Sequence, residues 1–224
     1  MTPDHDHFQK LIAERSERFP SMMLPPEFAE LFEINTLQLM VKLARYKFVA
    51  RLLKASDNVL EVGSGSGIGS IFISQHARHV TALESTKREW EYACSLNRRS
   101  NVKFLNQSFF EFGSGESYDA VLALDVIEHF DVEGGHKLVK KMADHCAPNG
   151  IVFVGTPSIY SFPHQGAYSQ AAHLHCYDQA ELTALMDNYF GRTIAFSMND
   201  EIVHTGHPKM AWYYFVLGFN PPRT

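Results

Sequence analysis

One stretch constrains this chain more than any other: Val59-Leu60-Glu61-Val62-Gly63-Ser64-Gly65-Ser66-Gly67-Ile68-Gly69-Ser70. Val59 to Val62 has the short apolar run of a buried strand, and Ile71, Phe72 and Ile73 resume an apolar pattern of helical type. A strand that runs through glycines into a helix makes a ligand cradle, because glycine permits left-handed backbone and close approach of the ligand. The helix N-terminus beyond it offers free N–H groups to an anion. Two well-known cradles do not fit. The dinucleotide fingerprint needs glycines at offsets zero, two and five, and the third place falls on Ile68 or Ser70. The P-loop needs Gly-Lys-Ser/Thr, which does not follow.

The rest of the chain alternates in the same way. Val80 to Glu84, Val102 to Leu105, Tyr118 to Leu124 and Ile151 to Thr156 read as strands, separated by helical patterns, one of them over 134–147. Thr86-x-x-Glu89 and Asp178-x-x-Glu181 have the form of capping boxes. Thr193 to Ser197 and Ala211 to Leu217 are later strands, the last apolar enough to lie between others. The expected fold is α/β: a doubly wound, Rossmann-like sheet. Residues 1–57 are expected to form a helical lid or cap, with two helices between Glu27 and Lys54, and residues 58–224 the main domain. A chain of 224 residues, 45% hydrophobic, suits that size.

A net charge of −5 gives no electrostatic case for nucleic acid. Cys94, Cys146 and Cys176 form no metal or redox spacing and point to a reducing compartment. The N-terminal residues do not read as a signal peptide, and no apolar run reaches membrane-spanning length. A cytoplasmic protein without membrane association is expected; the oligomeric state is left open.

What the cradle does fit is acidic-x-Gly-x-Gly-x-Gly, formed by Glu61, Gly63, Gly65 and Gly67. In this the chain resembles the class I S-adenosylmethionine-dependent methyltransferases. The resemblance implies a seven-stranded sheet with the last strand antiparallel, and S-adenosylmethionine as cofactor with S-adenosylhomocysteine as product. It implies a cofactor site at Glu61, Gly63, Ser64, Gly65 and Gly67. It extends that site to Glu84 and Ser85, where a strand-end carboxylate can accept both ribose hydroxyls. Ser108 stands where the family usually has an acid for the adenine amine, and Phe109 is placed to pack on the base or in the core. Asp125 follows the fourth strand, at the ligand crevice.

Methyl transfer is an in-line displacement that needs alignment and exclusion of water. An alcohol acceptor must also lose its proton, and His129, with Glu128 to orient it, is the candidate base. Asp125-x-x-Glu128-His129 also resembles the Glu-x-x-Glu-His segment of metal-assisted O-methyltransferases, such as those of ubiquinone biosynthesis and small-RNA 3′-end methylation. His173 and His175 are possible further ligands. The metal-free base is the preferred reading. The long segment from Pro157 to Tyr177 and the polar loop 198–207 are dense in hydrogen-bonding groups. Tyr46, His164, Gln165, Tyr168, His173, Asn199 and His204 are the candidates to hold a small-molecule acceptor, sugar-linked or otherwise hydroxylated. Asn199 and His204 are equally placed to stitch their loop to the sheet. N-methylation of a small amine, and a cofactor-binding module without turnover, stay open as alternatives.

Overall fold

The computed structural model describes residues 3–19, 21–113 and 115–222. Three helices precede the sheet: α1 (Pro3–Arg18), α2 (Pro26–Ile34) and α3 (Thr36–Leu52). Then come β1 (Asn58–Val62), α4 (Ile68–Ile73), β2 (His79–Glu84), α5 (Lys87–Leu96), β3 (Val102–Asn106) and β4 (Tyr118–Leu124). The second half contains α6 (Val132–His145), β5 (Cys146–Pro157), α7 (Ala167–Ala172), α8 (Gln179–Asp187), β6 (Arg192–Asn199), β7 (Ile202–His204) and β8 (Tyr213–Phe219).

The sheet order is β3-β2-β1-β4-β5-β8-β6-β7. The first five strands are parallel, and β8 runs antiparallel between β5 and β6. The expected doubly wound sheet with an antiparallel last strand is therefore present, with one strand more than seven. The extra strand arises in the polar loop after β6. Asn199 pairs with Ile202, and Asp200 between them takes a left-handed φ of 49°, so the loop closes as a tight hairpin.

The sheet is covered on both faces. On one face Leu60, Val121, Val152 and Val216 pack against Leu138 and Met142 of α6 and Leu182 and Met186 of α8. On the other, Val59, Leu122 and Phe215 pack against Ala44, Tyr46 and Val49 of α3 and Ile73 of α4. Strands buried on both faces explain the nearly unbroken apolar run of β4. Helix α3 shares this core with the strands.

Local signals meet mixed outcomes. Asp131 caps α6 by accepting from Gly134 N–H at 2.7 Å, and Asp178 caps α8 by accepting from Glu181 N–H at 2.8 Å. Thr86 does not cap α5 with its side chain; Glu84 binds the Thr86 amide instead. Residues 147–150 form an irregularity within β5, where the register to β4 slips. Helix α1 had no counterpart in the sequence reading.

Candidate active site

The glycine loop leaves β1 with left-handed backbone at Gly63, Gly65 and Gly67. At Gly63 a Cβ would sit 2.6 Å from a Val126 methyl, so glycine lets the loop lie against the end of β4. At Gly65 a Cβ would meet nothing within 4 Å, so the loop faces open space there. Ser64 and Ser66 bury their hydroxyls in the loop without a partner among the described residues. Beside them, Glu84 accepts from Gly65 N–H at 2.9 Å and from Thr86 N–H at 2.7 Å. A cavity of about 100 Å³ follows, lined in part by Gly63, Ser85, Gln107, Ser108, Phe109 and Phe110. Open space at Gly65, orphaned hydroxyls, a fixed carboxylate and an apolar slot fit the amino-acid, ribose and adenine parts of S-adenosylmethionine.

Two assignments change. Glu61 points under the loop, 1% exposed, and binds Ser70 and Tyr46. Burial, with a smaller push from Glu84, raises its pKa to about 7 against those two hydrogen bonds. It braces the loop from beneath and does not face the cavity. Tyr46 is buried with it and packs where a Gly69 Cβ would be, so it does not reach an acceptor. Phe109 is mainly a core residue, 5% exposed, with one side on the cavity. Phe110 and Phe130, ring centroids 5.5 Å apart, add aromatic walls that the sequence reading passed over.

Past Gly63 the crevice becomes polar. Asp125 turns at the end of β4 with φ 57°, its amide held by Gly155 O at 2.9 Å. It forms an ion pair with Arg45 of α3. The sequence reading missed Arg45, although Val41, Phe48, Val49 and Leu52 at helical spacing put it on an apolar face. Glu128 is 1% exposed; one oxygen accepts from Thr156 Oγ1 at 2.9 Å, and Oε1 is buried without a partner among the described residues. Burial, reinforced by Asp125, holds its carboxyl well above the usual carboxylate range.

The 157–177 segment folds over this end. Leu174 and His175 N–H bind Glu128 O at 2.8 and 3.2 Å. His129 Nδ1 lies 3.1 Å from Ala172 O, and its ring is 5.2 Å from that of His173. Burial and the neighbouring His129 lower the His173 pKa. Ligand atoms of Glu128, His129 and His173 all lie within 4.8 Å of one another. Asp125 is not in that group, and His175 pairs with Glu181 at 2.6 Å.

These three donors suit a divalent cation. Glu128 Oε1 and His173 Nδ1 are buried and have no partner among the described residues. A carbonyl on His129 Nδ1 leaves Nε2 as the donor, the outer-shell arrangement metal-binding histidines use.

The remaining acceptor candidates divide. His164 lies edge-on to Trp212 at 5.6 Å, Gln165 donates to Ser161 Oγ at 3.0 Å with its own Oε1 buried and without a partner among the described residues, and Tyr168 is 87% exposed. Asn199 accepts from Trp212 N–H at 3.0 Å, and His204 accepts from Gly206 N–H at 3.2 Å. Both make these bonds from strands three and four places from β4.

Residues 37–189 match the methyltransferase-domain family. The chain belongs to this family of class I S-adenosylmethionine-dependent methyltransferases. It is 31% identical over 100 residues to a ubiquinone biosynthesis O-methyltransferase of Rickettsia canadensis (strain McKiel), covering 44% of this chain and 42% of that one. The chain spans about half the length of the curated relatives it matches. The N-methyltransferase NodS from Bradyrhizobium japonicum WM9, solved with S-adenosylhomocysteine, superimposes with a TM-score of 0.60 at 15% identity, over 83% of this chain and 87% of that one. The methyltransferase domain of bacterial CtHen1 superimposes with a TM-score of 0.64 at 18% identity, over 80% and 99%. Among the described residues no helix is long and apolar enough to cross a membrane.

Proposed function

We propose that the protein is an S-adenosylmethionine-dependent O-methyltransferase that acts on a small hydroxylated acceptor with the help of a divalent cation. The convergence of Glu128, His129 and His173 beside the cofactor crevice carries this reading. It reverses the preference for a metal-free base, because His173 arrives from a distant segment to complete the donor set. One carboxylate and two imidazoles favour a first-row transition ion such as manganese, iron, cobalt or zinc over magnesium. Bound there, the cation would lower the pKa of an acceptor hydroxyl.

The chain supplies the rest. Glu84 and the slot around Ser108 and Phe110 hold the nucleoside, so the sulfonium methyl faces the β4 end. Phe130 and the 157–177 segment keep water from that end, and His164 and Gln165 line the approach. The ubiquinone biosynthesis O-methyltransferase relative supports oxygen as the nucleophile; a sugar or another small hydroxylated acceptor suits these residues.

The test is methyl transfer from labelled S-adenosylmethionine to a panel of catechols, sugars and amines, run with chelator and with divalent ions added back. Turnover on hydroxyl acceptors, lost on chelation and restored by manganese or cobalt, is expected. Turnover that survives chelation returns His129 to the role of base, and methylation confined to amines would contradict the proposal.

A further inference from the structure

We infer that the cleft between α6 and α8 is a second ligand site, which takes a small primary amine. It shares no lining residue with the cavity beside Ser108 and stands without the reading above.

Shape is the first argument. The cleft holds about 220 Å³ between Val132 and His136 of α6 and Glu181, Leu185 and Asn188 of α8, with Tyr177 against them. Pockets for drug-sized molecules run from roughly 300 to 1,000 Å³, so this one suits an occupant of about ten heavy atoms or fewer. Val132 and Leu185 make its wall apolar on one part, and His136, Glu181 and Asn188 make it polar on another.

The second argument is an orphaned hydroxyl. Tyr177 is wholly buried, yet its hydroxyl has no partner among the described residues. That hydroxyl ends against α6 at Gly135, where a Cβ would come within 2.3 Å of it. Val132, Gly135 and His136 share one helix face by their spacing, so the hydroxyl reaches the wall of the cleft. Glycine is a poor residue for a helix interior, and here it makes the room that the hydroxyl needs. A buried polar group left unpaired is unfavourable, and a polar occupant of the cleft completes it.

The third is charge. Burial, then Glu181, Asp131 and Glu128, push the Tyr177 hydroxyl up to about 12. Every charge acting on it is therefore negative, and it stays protonated at neutral pH. Glu181 uses Oε1 for His175 Nε2 at 2.6 Å, and the Asn188 side chain donates to Ala184 O at 2.8 Å. These bonds leave Glu181 Oε2, Asn188 Oδ1 and the Tyr177 oxygen as acceptors. An ammonium has three N–H donors and no acceptor, which matches that set. A carboxylate or phosphate would meet the repulsion of Glu181 and Asp131 instead.

Two-dimensional NMR of the full chain tests this with benzylamine, its uncharged counterpart benzyl alcohol, and benzoate. Benzylamine should shift amides of α6 and α8, with a Kd in roughly the millimolar range expected of so small a ligand. Benzyl alcohol should bind about 10-fold more weakly, and benzoate should not bind. Glu181→Gln should weaken benzylamine by about 10-fold and leave benzyl alcohol unchanged. Tyr177→Phe keeps the ring and removes only the unpartnered hydroxyl. It should leave Tm unchanged or higher while weakening the amine several-fold. Benzylamine that moves no α6 or α8 resonance overturns the inference. So do equal affinities for the three probes, or amine binding that both substitutions leave intact.

Discussion

Glu84 and Glu128 are buried carboxylates at opposite ends of one crevice, and they are held in opposite ways. Both Glu84 oxygens accept backbone N–H groups, from Gly65 and Thr86, within a few residues of the loop it serves. Glu128 has one oxygen on the Thr156 hydroxyl and the other without a partner among the described residues, and burial favours its protonated form. A carboxylate saturated by fixed backbone donors is a preorganised acceptor for ligand hydroxyls. A buried carboxylate left half-satisfied is completed by a cation or a proton. On the proposed function, the first end recognises the cofactor and the second carries the chemistry.

If Glu84 is the ribose acceptor, Glu84→Ala should lower S-adenosylhomocysteine affinity by about 10- to 100-fold, the scale for hydrogen bonds to a charged group. Calorimetry checks it, and unchanged affinity would remove the recognition role from this end.

A third carboxylate sharpens the contrast. Glu61 faces neither ligand; it is buried beneath the loop between Tyr46 and Ser70, with Glu84 near enough to repel it. Its pKa is raised to about 7 in the folded protein from an ordinary 4.5. The folded state therefore keeps this proton where the unfolded chain gives it up. The resulting stabilisation is fully present below about pH 4.5 and is lost as pH rises through 7. The loss amounts to at most about 3 kcal/mol. Urea unfolding of wild type and Glu61→Gln at pH 5 and pH 8 should show the wild type losing more stability with rising pH. Parallel behaviour of the two proteins would mean that Glu61 is already ionised in the fold.

The smallest effects are expected at the rim. Asn199→Ala removes one neutral hydrogen bond to the Trp212 amide and should cost on the order of 1 kcal/mol of stability, with the acceptor KM unchanged. Tyr168→Phe, at an 87% exposed side chain, should leave stability unchanged and raise the acceptor KM a few-fold if the hydroxyl meets the acceptor. A kinetic effect at Asn199 would put the β6–β7 hairpin back into the acceptor site.

The same division governs what the sequence revealed. The recognition end is contiguous: Gly63 to Gly67 and Glu84 carry their own backbone logic, so strand, loop and acid could be read in line. Even there, Glu61 was misassigned, because the pattern does not say which side of the strand the carboxylate takes. The Glu128 end is assembled by topology. Arg45 comes from α3, His173 from the long segment and Tyr213 from the strand inserted between β5 and β6, and no local spacing ties them to Asp125 or Glu128. An arginine on an apolar helix face was the one signal for Arg45. The hairpin strand β7 was hidden because its turn depends on Asp200 taking left-handed backbone. Tyr46 was legible only as an aromatic residue on a helix, not as the partner of Glu61.

The central claim is that the glycine loop cradles S-adenosylmethionine, and a titration of S-adenosylhomocysteine into wild type and Gly65→Val measures it most directly. A Cβ at Gly65 enters space that is open in the protein, so valine should fill the cradle without touching the core; the left-handed φ adds a cost of about 1–2 kcal/mol to stability. One-to-one binding by the wild type, lost in Gly65→Val while the variant stays folded, is the expected result. Binding of NAD in place of S-adenosylhomocysteine, or S-adenosylhomocysteine binding that valine leaves intact, would contradict the account.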